Sequence, residues 1–226
     1  LAREQGAQLR MGIGVRQILV RDGQVQGVQL DDGEVLPAEQ VLFNGEAAAL
    51  RSGLLGEPAQ AAVPAHAPPR ALSAMTWALN TPLEGVALER HNVFFCADYA
   101  AEFSDIFQHS RLPQNPTVYL CAQDRPGERT PGAPERALAL INAPAVGDGA
   151  GWTDKELDAC QNQVFRFLAD LGLRLQPEAA CVRRRSPQDF HQRFAASGGA
   201  LYGQATHGWT GIFRRPGSRT PIRGLY

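Results

Sequence analysis

The sequence predicts an α+β protein with two domains. Strand-like runs separated by tight-turn residues occupy positions 13–37, which indicates a small antiparallel sheet. An Ala- and Pro-rich stretch from 58 to 69 has little periodicity and indicates a connection into a second domain. Beyond it, strand-like runs alternate with capped amphipathic helices, so we expect a mixed or antiparallel sheet covered by helices.

The first domain is predicted to begin with an antiparallel meander. Residues 13–20 and 24–30 read as strands, and Asp22-Gly23 between them is a tight-hairpin signal. Residues 34–36 can return as a third strand, which ends at a proline because proline cannot donate to the ladder.

A short apolar run and a helix follow the meander. The run Val41-Leu42-Phe43 has no polar interruption, which is typical of a buried parallel strand. Asn44 is expected to cap a helix that extends from Glu46 to Arg51.

The second domain is predicted to combine several strands with three helices. One helix follows Asp98, which suits the N-cap position, and the clearest helix runs from Asp154 to Leu171. The buried stripe of that second helix is expected to be Leu157, Cys160, Val164, Leu168 and Leu171. The strand candidates are 74–79, 86–88, 93–96, 118–122 and 138–142.

Capping signals mark the starts of two of these helices. Thr153 and Glu156 have the spacing of a capping box. Ser186 suits an N-cap, with Pro187 at the first helical position of the third helix. The side chains that this helix is expected to direct inward are Phe190 and Phe194.

Charge and cysteine content bound the classes of function. The 22 basic and 23 acidic residues nearly cancel, so no nucleic-acid partner is expected. The cysteines stand far apart without metal-ligand spacing, so we expect core cysteines in a reduced, cytoplasmic protein and no metal site. The chain opens within an apparent helix end and stops where a buried strand would begin, so we interpret it as an internal fragment.

Motifs that carry chemistry are few. No Gly-x-Gly-x-x-Gly follows a strand, and no Walker loop or nucleophile elbow occurs. Aromatic residues favour an apolar binding slot over polar chemistry, although aromatics on strands are more often core residues. Between 198 and 224, glycines alternate with aromatic residues around His207, a pattern that suits close approach to a flat ligand or to another backbone.

Several stretches of the chain carry a family resemblance. They read GVQLDDG at 27–33, VLFN at 41–44, HNVFF at 91–95, PTVYLCA at 116–122, SPQDF at 186–190 and GGALYG at 198–203. By these stretches the chain resembles the phytoene-desaturase-like carotenoid oxidoreductases, and those after residue 90 are the more specific ones. Within that family, LYGQATHG at 201–208 is most similar to desaturases of hydroxylated or methoxylated acyclic carotenoids.

The resemblance implies a two-domain flavoprotein that binds FAD. It implies that residues 1–62 belong to the FAD-binding domain, that 63–185 form the substrate domain, and that 186–226 return toward the flavin. The family's N-terminal dinucleotide motif and C-terminal flavin motif lie outside this chain, so the fragment alone is expected to be inactive and to lack FAD. The cofactor-binding residues implied are Val15, Phe43, Asn44, Gly199, Tyr202 and Gly203.

The implied reaction is desaturation of an acyclic carotenoid by hydride transfer to the flavin. Because a polyene offers almost no hydrogen-bonding handle, shape and dispersion would hold it in a tunnel. Its lining is expected to be Trp77, Phe94, Phe95, Tyr119 and Trp209, with His207 as the candidate base. Peripheral contact with the inner face of the membrane is expected because the substrate is lipid-soluble.

Other functions remain open at this point. The resemblance also covers carotenoid isomerases and saturases, and more distantly amine oxidases, which would need a small aromatic cage for a nitrogen. A non-catalytic module that binds an apolar ligand is a further alternative.

Overall fold

The computed structural model describes residues 1–125, 130, 132–175, 181–205 and 217–226. The chain divides into two compact units, of which the first contains Leu1–Pro68 and the described residues 217–226. The second unit contains the described residues from Pro69 to 205. Each unit has an antiparallel sheet and a core of its own, so the predicted α+β class is confirmed.

The first unit contains the predicted meander. Its strands are β1 (Val15–Arg21), β2 (Gln24–Leu30) and β3 (Val35–Pro37), in the order β1-β2-β3 with antiparallel pairing. The β1-β2 turn places Asp22 at φ 52° and Gly23 at φ 71°, the two positive values that a type I′ hairpin requires.

The core of the first unit joins the meander to the C-terminal residues. A 3₁₀ turn (Glu57–Ala62) packs beside β1, and helix α1 (Ala47–Arg51) packs against that turn. The buried members of this core are Ile18, Val25, Leu50, Ala59, Ala62, Ile222 and Leu225.

Two expectations for this unit are wrong. The run 41–43 does pair in parallel, because the Val41 N–H donates to the Gly224 carbonyl at 2.7 Å, but Leu42 is 80% exposed and not buried. Alternation along the extended run points Leu42 away from the core that Val41 and Phe43 contact. Asn44 does not cap α1: Glu46 occupies the N-cap position, and its side chain makes no capping hydrogen bond.

The second unit is built on a five-stranded antiparallel sheet. Its strands are β4 (Ser73–Thr81), β5 (His91–Phe94), β6 (Val118–Ala122), β7 (Glu135–Ala143) and β8 (Val182–Arg185), in the order β5-β6-β7-β4-β8. Four of the five predicted strands are therefore confirmed, whereas 86–88 does not form one.

Helix α3 (Asp154–Asp170) covers one face of this sheet. Thr153 and Glu156 form the predicted capping box, in which the Glu156 carboxylate accepts the Thr153 N–H at 2.8 Å. Four members of the predicted stripe are buried, and burial raises the pKa of the Cys160 thiol to about 11. Leu171 is 47% exposed, contrary to prediction, because it is the C-cap residue, after which Gly172 turns the chain at φ 90°.

Two shorter helices complete the second unit. Helix α2 (Tyr99–Phe107) begins at Asp98, whose side chain accepts the Ala101 N–H at 2.9 Å as predicted. Helix α4 (Pro187–Arg193) begins at Ser186 with a capping box. Phe194 was expected to point inward but is 53% exposed, because it lies at the C-cap, beyond the last helical residue.

Candidate functional site

The two faces of the five-stranded sheet differ in character. Side chains alternate between the faces along each strand, and the register places Trp77, Ala139 and Leu120 on one face. These three side chains are fully buried in the core that α3 covers. The opposite face, which we call the open face, carries His91, Val93, Tyr119, Cys121, Leu138, Leu140, Thr76 and Ala78, and on the edge strand β8 it carries Arg183 and Arg185.

The middle of the open face is apolar, although its β8 edge carries Arg183 and Arg185. Val93 is 50% exposed, Ala78 is exposed, and Leu138 and Leu140 are half-buried. Exposed faces of antiparallel sheets normally carry polar residues, and contiguous apolar patches mark binding surfaces. Among the described residues of the second unit, this face is therefore the best candidate for holding an apolar molecule.

One polar pair stands on the open face. Nδ1 of His91 lies 2.7 Å from the Tyr119 hydroxyl, and the two rings are stacked with centroids 6.1 Å apart. Burial raises the pKa of Tyr119, and the adjacent Cys121 thiol adds to the rise. The phenol therefore stays protonated at neutral pH and retains hydrogen-bonding capacity.

The structure does not bring the expected tunnel residues together. Tyr119 lies on the open face, whereas Trp77 is fully buried beneath α3 and meets Phe165 edge-on at 6.1 Å. Phe94 pairs with Val118 on the helix-covered face, where it is half-buried. Phe95 follows β5 and is 71% exposed. The expected residues His207 and Trp209 lie outside the described residues.

The described glycines of the 198–203 segment approach the protein itself. A Cβ on Gly199 would overlap the Pro187 carbonyl, and one on Gly198 would overlap the Arg70 guanidinium. The Gly199 N–H donates to Oγ of Ser197 at 3.0 Å, so Gly199 is enclosed by its own unit. Tyr202 is 72% exposed, and the Gly203 carbonyl accepts the Ala71 N–H at 2.9 Å. Of the three expected cofactor residues in this segment, Gly199, Tyr202 and Gly203, only Tyr202 presents an exposed side chain.

The first unit presents the other expected cofactor residues. Val15 begins β1, an edge strand of the described meander, and is 43% exposed. Asn44 is exposed, and the half-buried Phe43 ring lies over Gly45, where any Cβ would strike it. Val15 and Asn44 therefore have side chains that are open to a bound group, whereas the Phe43 ring packs partly against its own unit.

A buried carboxylate escaped the sequence analysis. Glu102 on α2 is 1% exposed and accepts the Thr117 N–H at 3.1 Å. Oε2 of Glu102 also accepts the Cys96 thiol at 3.4 Å, and Oε1 lies 3.5 Å from Nδ2 of Asn142. The signal was present, because Glu102 lies one turn before the buried Ile106 and hence on the same helical face.

The described residues offer neither a metal site nor a membrane-spanning helix. No group of three His, Cys, Asp or Glu side chains within them could hold a metal ion. None of the helices in these ranges combines the length and apolarity that crossing a membrane requires.

A solved structure shares this fold. The structure matches an oxidoreductase from Methanosarcina mazei with a TM-score of 0.58 and 16% identity, over 99% of this chain and 45% of that one. At that identity the likeness shows the fold alone. No family model matches the chain.

Proteins related in sequence give a more specific comparison, because they are named as desaturases. Hydroxyneurosporene desaturases from Rubrivivax gelatinosus and Cereibacter sphaeroides are 47% and 38% identical to this chain over its whole length. The 1-hydroxycarotenoid 3,4-desaturase of a Flavobacterium is 26% identical, again over the whole chain. The chain is thus homologous to carotenoid desaturases throughout, and the resemblance seen in the sequence is confirmed. The chain spans a little under half the length of these relatives: 43%, 45% and 46%, respectively.

Proposed function

We propose that this chain works within an FAD-dependent desaturase of acyclic carotenoids. The observation that carries the proposal is 47% identity, over the entire chain, to a protein named hydroxyneurosporene desaturase. In this proposal residues 1–62 contribute to FAD binding, 63–185 bind the substrate, and 186–226 return toward the flavin.

The open face would form one wall of the substrate site. Val93, Leu138 and Leu140 present half-buried or exposed apolar side chains there, and Tyr119 adds an aromatic ring. Contact with these side chains would hold a polyene by dispersion and exclude water from it. Trp77 and Phe94 would support this wall from the opposite face, because both belong to the α3 side of the sheet.

The resemblance assigns two groups of residues to the cofactor. Val15, Phe43 and Asn44 would border the adenine end, and Tyr202 would lie near the reacting end together with Trp209. FAD, when bound, would accept the hydride that leaves a carbon of the polyene. His207 is proposed to take the neighbouring proton, since imidazole accepts protons near neutral pH.

Membrane contact is proposed for an aromatic surface on α2 and beside it. Phe95 is 71% exposed and Phe107 is 44% exposed, and the Phe103 and Phe107 rings stack at 5.9 Å. Exposed aromatic side chains enter the interfacial region of a bilayer. We expect the protein to be cytoplasmic and peripheral, and flotation of the complete protein with liposomes tests this: recovery only in the lipid-free fraction would contradict it.

The experiment for the proposed function is an absorption spectrum of the purified product of the complete gene. A flavin spectrum that bleaches when a hydroxylated acyclic carotenoid is added without oxygen is expected. The 226 residues alone are expected to show no flavin, because their sequence lacks a dinucleotide-binding motif. A complete protein without flavin would overturn the proposal and favour a module that binds an apolar ligand.

A further inference from the structure

The pair His91–Tyr119 is a polar spot within an apolar surface. Across the strands, Tyr119 lies between Val93 on β5 and Leu140 on β7. Cys121, the partner of His91, is followed across the sheet by Leu138. The two rings therefore supply the main hydrogen-bonding groups among Val93, Cys121, Leu138 and Leu140, which are apolar or weakly polar.

The hydrogen-bonding capacity of this pair matches an alcohol. If Tyr119 donates its O–H to Nδ1 of His91, the phenol oxygen keeps lone pairs that can accept a hydrogen bond. If Nδ1 carries the proton and donates, the phenol O–H can donate instead, to a ligand or to the weakly accepting Cys121 thiol beside it. A hydroxyl group both donates and accepts, so it complements Tyr119 in either tautomer, whereas a carbonyl complements only the second.

We propose that Tyr119, oriented by His91, binds the hydroxyl group of a hydroxylated polyene whose chain lies along the open face. The inference rests on the proposed function and adds to it the recognition of the substrate's polar end. Tyr119 is the residue that touches the substrate, and His91 is a positioning residue that acts through it.

The surface beyond the pair suits the rest of such a molecule. From β5 to β4 the open face spans three strand spacings, about 14 Å at about 4.8 Å each. Along that span Leu138, Leu140 and Ala78 continue the apolar surface. An apolar chain anchored at Tyr119 can therefore lie along Leu138, Leu140 and Ala78, short of the arginines that β8 carries on the same face.

The test compares two substrates with the complete protein. The kcat/KM for a hydroxylated acyclic carotenoid is divided by that for the same carotenoid without the hydroxyl. Tyr119→Phe keeps the ring and removes only the oxygen, so this ratio should fall about tenfold, the effect of losing one hydrogen bond to the substrate. His91→Phe keeps an aromatic ring but frees Tyr119 to rotate, so a fall of about threefold is expected. Tyr99→Phe on α2 is the matched control. It removes the same oxygen from a tyrosine that is 55% exposed to solvent, and it should leave the ratio unchanged.

The outcomes separate this inference from the proposed function. A wild-type protein that converts neither carotenoid overturns the proposed function and this inference with it. A wild-type protein that converts both, with an unchanged ratio in Tyr119→Phe, overturns this inference alone. Equal losses for both substrates in Tyr119→Phe would show a role in packing and would also overturn it.

Discussion

Trp77 offers the sharpest contrast between what the sequence indicates and what the structure shows. The side chain has no exposed surface, and it packs between the sheet and Phe165 of α3. Replacing a fully buried tryptophan by alanine costs about 3–5 kcal/mol. Ala139 on β7 is the cross-strand partner of Trp77, and its small side chain cannot fill the cavity that the substitution would leave. We therefore expect a loss in the upper half of that range.

Urea unfolding of the complete protein, followed by circular dichroism, measures this loss. Phe95→Ala is the matched control, because its ring is 71% exposed and its removal should change the unfolding free energy by less than about 0.5 kcal/mol. A Trp77→Ala variant with an unchanged unfolding midpoint and a raised KM for carotenoid would refute this reasoning. It would place Trp77 in the substrate site that the sequence suggested.

Three further changes test local features of the fold. Gly199→Ala should lower the free energy of unfolding by at least about 2 kcal/mol, because φ is 83° and the new Cβ would overlap the Pro187 carbonyl. Gly217→Ala is the matched control in the same urea assay and should be nearly neutral, because its Cβ would come no closer than 4.0 Å to another residue. Glu102→Ala should cost about 2–3 kcal/mol by leaving the buried Thr117 N–H without its acceptor, and an equal loss in Glu102→Gln, which keeps an acceptor oxygen, would contradict this. Hydrogen bonding from the Thr153 backbone holds the pKa of Glu156 below its ordinary value of 4.5, so its contribution to stability is present above that pH and is lost as the pH falls through the lowered pKa. Glu156→Gln should therefore show a flatter loss of stability in acid than wild type, and identical acid profiles would refute the assignment.

Much of the fold could be predicted because local signals and tertiary structure agree. The Asp22-Gly23 hairpin and the caps at Asp98, Thr153 and Ser186 depend on residues a few positions apart. Such signals are complete within the sequence. The errors at Leu171 and Phe194 arose at helix ends. Each residue lies one position beyond the last helical residue, so it no longer follows the helical periodicity that directs side chains to the buried face.

The candidate site was harder to predict because it depends on strand register. Trp77 and Tyr119 both read as aromatic residues in apolar strands, yet the pairing of β4, β6 and β7 places them on opposite faces. Nothing within either strand indicates which face a helix will cover. The His91–Tyr119 pair was missed for the same reason, since its members are 28 residues apart and meet only through the β5-β6 register.

The most direct test of the central claim is product analysis. The purified complete protein, supplied with a hydroxylated acyclic carotenoid and an electron acceptor, should yield a carotenoid that has lost two hydrogen atoms and absorbs at longer wavelength. Recovery of the starting carotenoid, or of a geometric isomer with the same mass, would contradict the assignment as a desaturase.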